Sequence, residues 1–277
     1  MLKKATARVM FPGMLLLGML LPGIFLAGCA QAPSGHSVPA GSAVAPSSSP
    51  GAAPPAIREP TDTATLAEAF ADLERGDGLP DPDARLREVM GAFRRYLAQS
   101  ESLRLTSQAF REMSGHLQVF EVQDGMFFFY QGTPTVFGES GASGYAFLQV
   151  RSGDEPQVYA VFEAEPRQVW DVLAKGAGEA LVYGVETGHP RQAFADRMRW
   201  RDGYLEKEPA LTPHDDGKWR IDAGSGLVSR SDGLLVETYF VEMNESLARI
   251  GSSDGEQLAL VWRDETGRFE VPQRRDE

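Results

Sequence analysis

The run Met126-Phe127-Phe128-Phe129-Tyr130 constrains the fold more than any other part of this chain. Neighbouring residues in a strand point to opposite faces, so a strand apolar at every position needs cover on both sides. The alternating stretch His116-Leu117-Gln118-Val119-Phe120-Glu121-Val122 precedes it, and Asp124-Gly125 between the two suits a tight reversal. The pair reads as a hairpin whose second strand lies inside the protein. Its second face needs either another packed layer or a greasy ligand. Phe127, Phe128, Phe129 and Tyr130 are therefore candidate lining for an apolar ligand, with Phe137, Tyr145, Phe147, Tyr159 and Phe162 as neighbours. The competing reading is an ordinary two-layer core.

Helices come before this hairpin. Thr61 or Asp62 can cap a helix carrying Leu66, Ala69, Phe70 and Leu73 at helical spacing, which Gly76-Asp77-Gly78 ends. Asp81-Pro82-Asp83 starts a second, with Leu86, Val89, Met90, Phe93 and Leu97 on one face. Arg85, Arg87, Arg94 and Arg95 lie largely elsewhere and read as a solvated face, or as a contact for headgroups or a partner. Leu103-Arg104-Leu105 opens a stretch read as strand. Gly144–Val150 and Gln157–Ala164 read as a further strand pair, and Leu181–Val185 as another strand. Pro166 through Trp170 to Leu173 reads as a short helix, and Pro190 as the start of a second through Ala193, Phe194 and Met198. Beyond Gly203, strands alternate with turn-forming pieces such as Asp215-Asp216-Gly217, Ser231-Asp232-Gly233 and Asp254-Gly255. The expected fold class is α+β, N-terminal helices packed on an extensive antiparallel sheet, with a half-barrel as one form the sheet can take.

The start of the chain is of a different kind. Lys3, Lys4 and Arg8 precede an apolar stretch from Val9 to Phe25 that is broken by Pro12, Gly13, Gly18, Pro22 and Gly23. That pattern reads as a secretory signal and not as a stable membrane span. It closes on Leu26-Ala27-Gly28-Cys29, which resembles the lipobox of bacterial lipoproteins. The resemblance implies cleavage between Gly28 and Cys29, diacylation of the Cys29 sulfur and acylation of its new amino group. Because Ala30, and not Asp, follows the Cys, it also implies sorting to the outer membrane, with the inner membrane as the alternative. Cys29 is the only Cys, so the folded part has no disulfide available. Three acyl chains at ~0.8 kcal/mol per buried methylene make such an anchor effectively permanent. Residues 29–60 form a tether rich in Ala, Pro, Ser and Gly, in which six prolines from Pro33 to Pro55 block helix and strand alike. Thirty such residues give a reach of about 30 Å. The expected organisation is thus signal peptide 1–28, lipidated Cys and tether 29–60, and a periplasm-facing domain 61–277.

A second likeness concerns the folded part. A helix ending in Tyr96-Leu97, then Ser100-Glu101-Ser102-Leu103-Arg104-Leu105-Thr106, then a strand and hairpin, resembles the opening of the periplasmic lipoprotein-carrier and outer-membrane lipoprotein-receptor superfamily. The likeness covers some fifty residues and implies a sheet wrapped around a lipid-holding cavity closed by helices. Gly132-Thr133-Pro134 stands where members of that superfamily often have an Arg-Pro step.

Chemical motifs are sparse. Gly251-Ser252-Ser253-Asp254-Gly255 satisfies the nucleophile-elbow expression G-x-S-x-G, but it lies between expected strands, and the last His, His214, precedes it. It reads as a turn. His36, in the tether, has no second ligand nearby; His116, His189 and His214 are scattered, and no calcium-loop or H-E-x-x-H spacing occurs. No catalytic residue, metal or cofactor is expected. Arg197-Met198-Arg199-Trp200-Arg201 reads as the end of a helix, with an extended form that could face an anionic partner as the alternative. A net charge of −12, made more negative when cleavage removes Lys3, Lys4 and Arg8, argues against nucleic acid as a partner. The expected function is an outer-membrane-anchored lipoprotein with a non-catalytic binding or scaffolding domain. Its expected partners are the membrane, through the anchor, and an envelope protein or lipid. The alternatives are a lipid or lipoprotein carrier and a cell-envelope serine hydrolase.

Overall fold

Asp62 sets the first helix: its carboxylate accepts the Thr65 N–H at 2.8 Å, and α1 runs Thr63–Arg75 to Gly76, which takes the left-handed backbone at φ 64°. Asp81 accepts the Ala84 N–H at 2.8 Å and Pro82 occupies the first turn of α2 (Pro82–Leu97). Both helices bury the apolar positions expected of them. This computed structural model describes residues 62–76, 81–132, 143–201, 203–230 and 235–272. Gly28, Cys29, the tether, Phe137, Asp77-Gly78 and Ser231-Asp232-Gly233 lie outside the described residues.

After α2 the expected strand at Leu103–Leu105 is instead a 3-10 turn, Ser100–Arg104. The fully buried Ser102 hydroxyl donates to the Gln99 carbonyl at 2.6 Å and accepts the Gln149 amide at 2.6 Å; that amide also meets the Leu97 carbonyl at 2.6 Å. These bonds satisfy the helix end and a buried glutamine together, and an extended strand would satisfy neither. A short helix, α3 (Ser107–Arg111), capped by the Thr106 hydroxyl, follows and was not anticipated.

Among the described residues every regular element beyond α3 is a strand, in three antiparallel sheets. The first orders β1 (Leu117–Val122), β2 (Gly125–Gln131), β3 (Gly144–Ser152) and β4 (Glu155–Glu165) in sequence. The second contains β5 (Arg167–Gly176), β6 (Glu179–Glu186), β7 (Gln192–Arg201), β8 (Tyr204–Pro209), β9 (His214–Asp215), β10 (Trp219–Ile221) and β11 (Leu227–Arg230). Its order is β5-β6-β7-β11-β10-β9, with β8 also paired to β7. The third is β12 (Thr238–Met243), β13 (Leu247–Ser252), β14 (Gln257–Arg263) and β15 (Arg268–Glu270). The fold class is thus α+β, the described strands dividing among three antiparallel sheets none of which closes into a barrel.

Alternation along the strands stacks these sheets. Phe128 and Tyr130 of β2 join Phe70, Phe93 and Phe110 of the three helices in one core. Phe127 and Phe129 join Val169, Val182, Phe194 and Met198 in a second core between the first and second sheets. Leu181, Ala193 and Ala195 meet Phe240, Ile250 and Leu260 in a third, between the second and third sheets. Four layers result: helices, then sheet upon sheet upon sheet. The doubly apolar strand is covered on both faces by protein.

Two expected helices are strands. Arg167 to Leu173, directly after Pro166, belongs to β5, and the segment after Pro190 to β7, including Arg197–Arg201. A separation of four residues places side chains together on a helix and also on one face of a strand, so Phe194 and Met198 fit either period. Cover on both faces decides it: Ala193 and Ala195 pack toward the third sheet while Phe194, Met198 and Trp200 pack toward the first. Asp196, 3% exposed, shares the inner face and meets Arg167 at 2.7 Å; Arg167 also lies 4.5 Å above the Phe194 ring. Burial is the largest influence on Asp196 and pushes its carboxyl up, against the opposing pull of Arg167 and Lys207.

Candidate binding cleft

Arg87, Met90, Gly91 and Arg94 fall at i, i+3, i+4 and i+7 of α2, and so on one stripe of the helix. The stripe overhangs the β4 edge of the first sheet, where Tyr145 and Phe147 of β3 and Glu163 and Ala164 of β4 complete a cleft of about 390 Å³. Its floor is apolar: Met90, Phe147 and Tyr145 are 1%, 2% and 6% exposed. Its rim is charged, with Arg94 Nη1 at 3.3 Å from Glu163 Oε1. Ala164 holds φ at 58° because it is the extra residue of a β-bulge, left unpaired where Gly144 pairs Glu165 and Tyr145 pairs Glu163.

Three features of the cleft stand out. The Tyr145 hydroxyl has no hydrogen-bond partner among the described residues, although its side chain is buried. Burial pushes this hydroxyl's ionisation up; Asp83 and Glu163 act the same way and Arg87 opposes them, so all three charges lie near it. Arg87 is exposed and has no ion-pair partner among the described residues. Gly91 interrupts a helix interior, where Ala would be more stable by about 1 kcal/mol. A Cβ there would meet only the Arg95 guanidinium, at 3.5 Å, so packing does not demand the glycine. Gly91 lines the cleft with backbone and no side chain. The lining supplies hydrogen-bond donors and apolar contact, and holds no Ser, Cys, His or Lys.

The residues singled out in the sequence are distributed elsewhere. Phe127, Phe128 and Phe129 are fully buried and Tyr130 is 3% exposed, split between two cores, and none of them lines this cleft. Of the neighbours named with them, Tyr145 and Phe147 do line it. Gly251 and Ser252 end β13 and Ser253–Gly255 lie in its connection to β14, where the Ser253 hydroxyl accepts the Glu237 N–H at 3.2 Å; this is a hairpin turn and not a strand-to-helix elbow. No group of three or more His, Cys, Asp or Glu is placed to hold a metal among the described residues. In the extended 197–201 segment two of the three arginines are matched by neighbouring strands, Arg197 to Glu179 at 2.8 Å and Arg199 to Glu206 and Glu208 at 2.9 Å, while Arg201 is exposed. Arg85 is buried and paired with Glu88 at 2.8 Å. Only Arg87 and Arg94 of the α2 arginines line the cleft, a role that the sequence pattern alone did not separate from a solvated face. Comparison of the chain with protein-family models, with curated proteins and with solved structures finds no match.

Proposed function

We propose that this chain is an outer-membrane lipoprotein, held by lipid on Cys29, whose folded part is a non-catalytic binding domain and whose binding site is the cleft between α2 and the β3–β4 edge. The observation that carries the reading is the placing together, above an apolar floor, of the Tyr145 hydroxyl and the exposed Arg87, neither with a hydrogen-bond or ion-pair partner among the described residues. Donors that no protein group engages, set beside an apolar floor, are available to orient a ligand. Support for the anchor comes from the lipobox-like Leu26-Ala27-Gly28-Cys29 and from the tether behind it. No described helix is long and apolar enough to cross a membrane.

Native mass spectrometry of the full chain, gently extracted from its membrane, tests the reading. A bound small molecule that survives extraction from the parent and is absent from a Gly91→Leu variant is the expected result. A molecule retained equally by that variant, or chemically turned over by the parent, overturns it.

A further inference from the structure

We infer that the α2–β3–β4 cleft recognises the carboxylate of a single-chain amphiphile, with the carboxylate on Arg87 and the Tyr145 hydroxyl and the hydrocarbon on Met90, Gly91 and Phe147. This rests on the cleft being the binding site and adds the chemical class of the ligand.

Charge selects the head group. Arg94 is compensated by Glu163 at 3.3 Å, which leaves Arg87 as the uncompensated cation of the lining. One free guanidinium matches one negative charge, and its parallel N–H pair fits the two oxygens of a carboxylate. A phosphate monoester, carrying nearly two charges, would bring its second against Glu163 and the nearby Asp83. The Tyr145 hydroxyl, unpartnered among the described residues, supplies a further donor beside Arg87.

Shape and surface select the body. The volume, about 390 Å³, lies at the small end of ligand pockets, which suits one chain and not the two of a phospholipid. Gly91 contributes no side chain at the point where the helix passes over the floor, and Phe147 and Met90 present carbon to whatever lies there.

The test uses the full chain in lipid nanodiscs, titrated with octanoate, octanol and octyl phosphate against empty nanodiscs. Octanoate should bind best. Arg87→Gln should weaken octanoate by about tenfold to a hundredfold while leaving octanol unchanged, and Tyr145→Phe, which removes only the hydroxyl, by about tenfold. Gly91→Leu should abolish binding of all three. Unchanged melting temperatures for Arg87→Gln and Tyr145→Phe keep these comparisons interpretable, and both side chains can change without loss of a described hydrogen bond. Binding of all three probes with equal affinity and no response to Arg87→Gln would overturn the carboxylate assignment and leave the cleft as a site. Tighter binding of octyl phosphate would overturn it as well. Binding of no probe by the parent would overturn the assignment, and octanoate binding that survives Gly91→Leu would remove the cleft itself.

Discussion

Phe128 and Phe129 are neighbours in sequence that work in different cores, and replacing each by Ala tests the layered architecture directly. Both are fully buried. Phe128 meets Phe110 and Phe93 edge-on, with ring centroids at 4.8 Å and 5.5 Å, beneath the helices. Phe129 points the other way, into the core shared with the second sheet, and its ring passes within 2.7 Å of where a Cβ on Gly144 would stand. A buried Phe→Ala change costs about 3–5 kcal/mol through lost transfer energy and the cavity left behind. The two edge-to-face pairs, at about 0.5–1.5 kcal/mol each, should put Phe128→Ala at the upper end. The side chains belong to separate clusters but share a backbone segment, so the double variant should cost roughly the sum, offset by a coupling of about 0.5–3 kcal/mol. That sum is comparable to the whole stability of an ordinary domain, about 5–15 kcal/mol, so the double variant should be largely unfolded.

The measurement is urea unfolding of a chain beginning at Thr61, followed by two probes. Trp170, Trp200, Trp219 and Trp262 lie on β5, β7, β10 and β14, so tryptophan fluorescence reports the second and third sheets. Helical circular dichroism reports the first layer. The first sheet is packed on both sides and joins the two regions, so both probes should shift together in both variants. Either substitution costing less than about 1 kcal/mol would refute burial against protein at that position. A Phe128→Ala transition that moves the helical signal alone would refute the coupling of the layers.

Four further outcomes are expected. Cys29→Ser should abolish incorporation of labelled palmitate and processing of the precursor, since only a thiol accepts the diacylglyceryl group; label on the variant would refute the lipid site. The chain from Thr61 should be soluble and unfold cooperatively without lipid or reductant, and aggregation would move the domain boundary. Arg167→Gln should lower stability by about 3–5 kcal/mol in the same urea assay, because it strands Asp196 as a buried charge 2.7 Å from its lost partner; adding Asp196→Asn should return part of the loss. Burial and the neighbouring Asp171 push the Tyr183 hydroxyl up to about 12, and burial pushes Tyr130 higher still. Unfolded tyrosines ionise near 10, so above that pH the unfolded chain releases protons the folded one keeps, and stability should fall. Phenolate absorbance that rises without loss of folded signal through this range would contradict the burial of both.

Local chemistry was legible where it is decided locally. Asp62, Asp81-Pro82 and Gly76 marked the ends of α1 and α2, and Asp124-Gly125 marked the β1–β2 reversal, because caps and tight turns depend on a few adjacent residues. The doubly apolar β2 announced that it would be covered on both faces. What it could not announce was the covering element. The segments at Val169–Leu173 and Phe194–Met198 carry apolar pairs four apart, a spacing shared by helix and strand, and long-range pairing settled them: β5 with β6, and β7 with β6, β8 and β11. Arg197, Arg199 and Arg201 read in sequence as the cationic end of a helix, but β6 and β8 supply Glu179, Glu206 and Glu208 to Arg197 and Arg199 from across the sheet.

The cleft was hidden for a related reason. On α2 the arginines at 85, 87, 94 and 95 are chemically alike in sequence, and the fold assigns them different surroundings. Glu88, one turn on, neutralises Arg85 inside the helical layer, and Glu163, sixty-nine residues away, neutralises Arg94 at the rim. Arg87 meets neither and shares the cleft with Tyr145, fifty-eight residues further along the chain. The one local sign was Gly91, a poor helix former in the middle of a well-capped helix with no close neighbour to excuse it. Its stability cost is intelligible once the space above it is used, so the same residue links the price of folding α2 to the binding of a chain-like ligand. Gly91→Ala separates the two: if the reasoning holds, it stabilises the helix by up to about 1 kcal/mol and weakens octanoate in the same protein, whereas a gain in stability with no loss of binding would leave the glycine without a purpose.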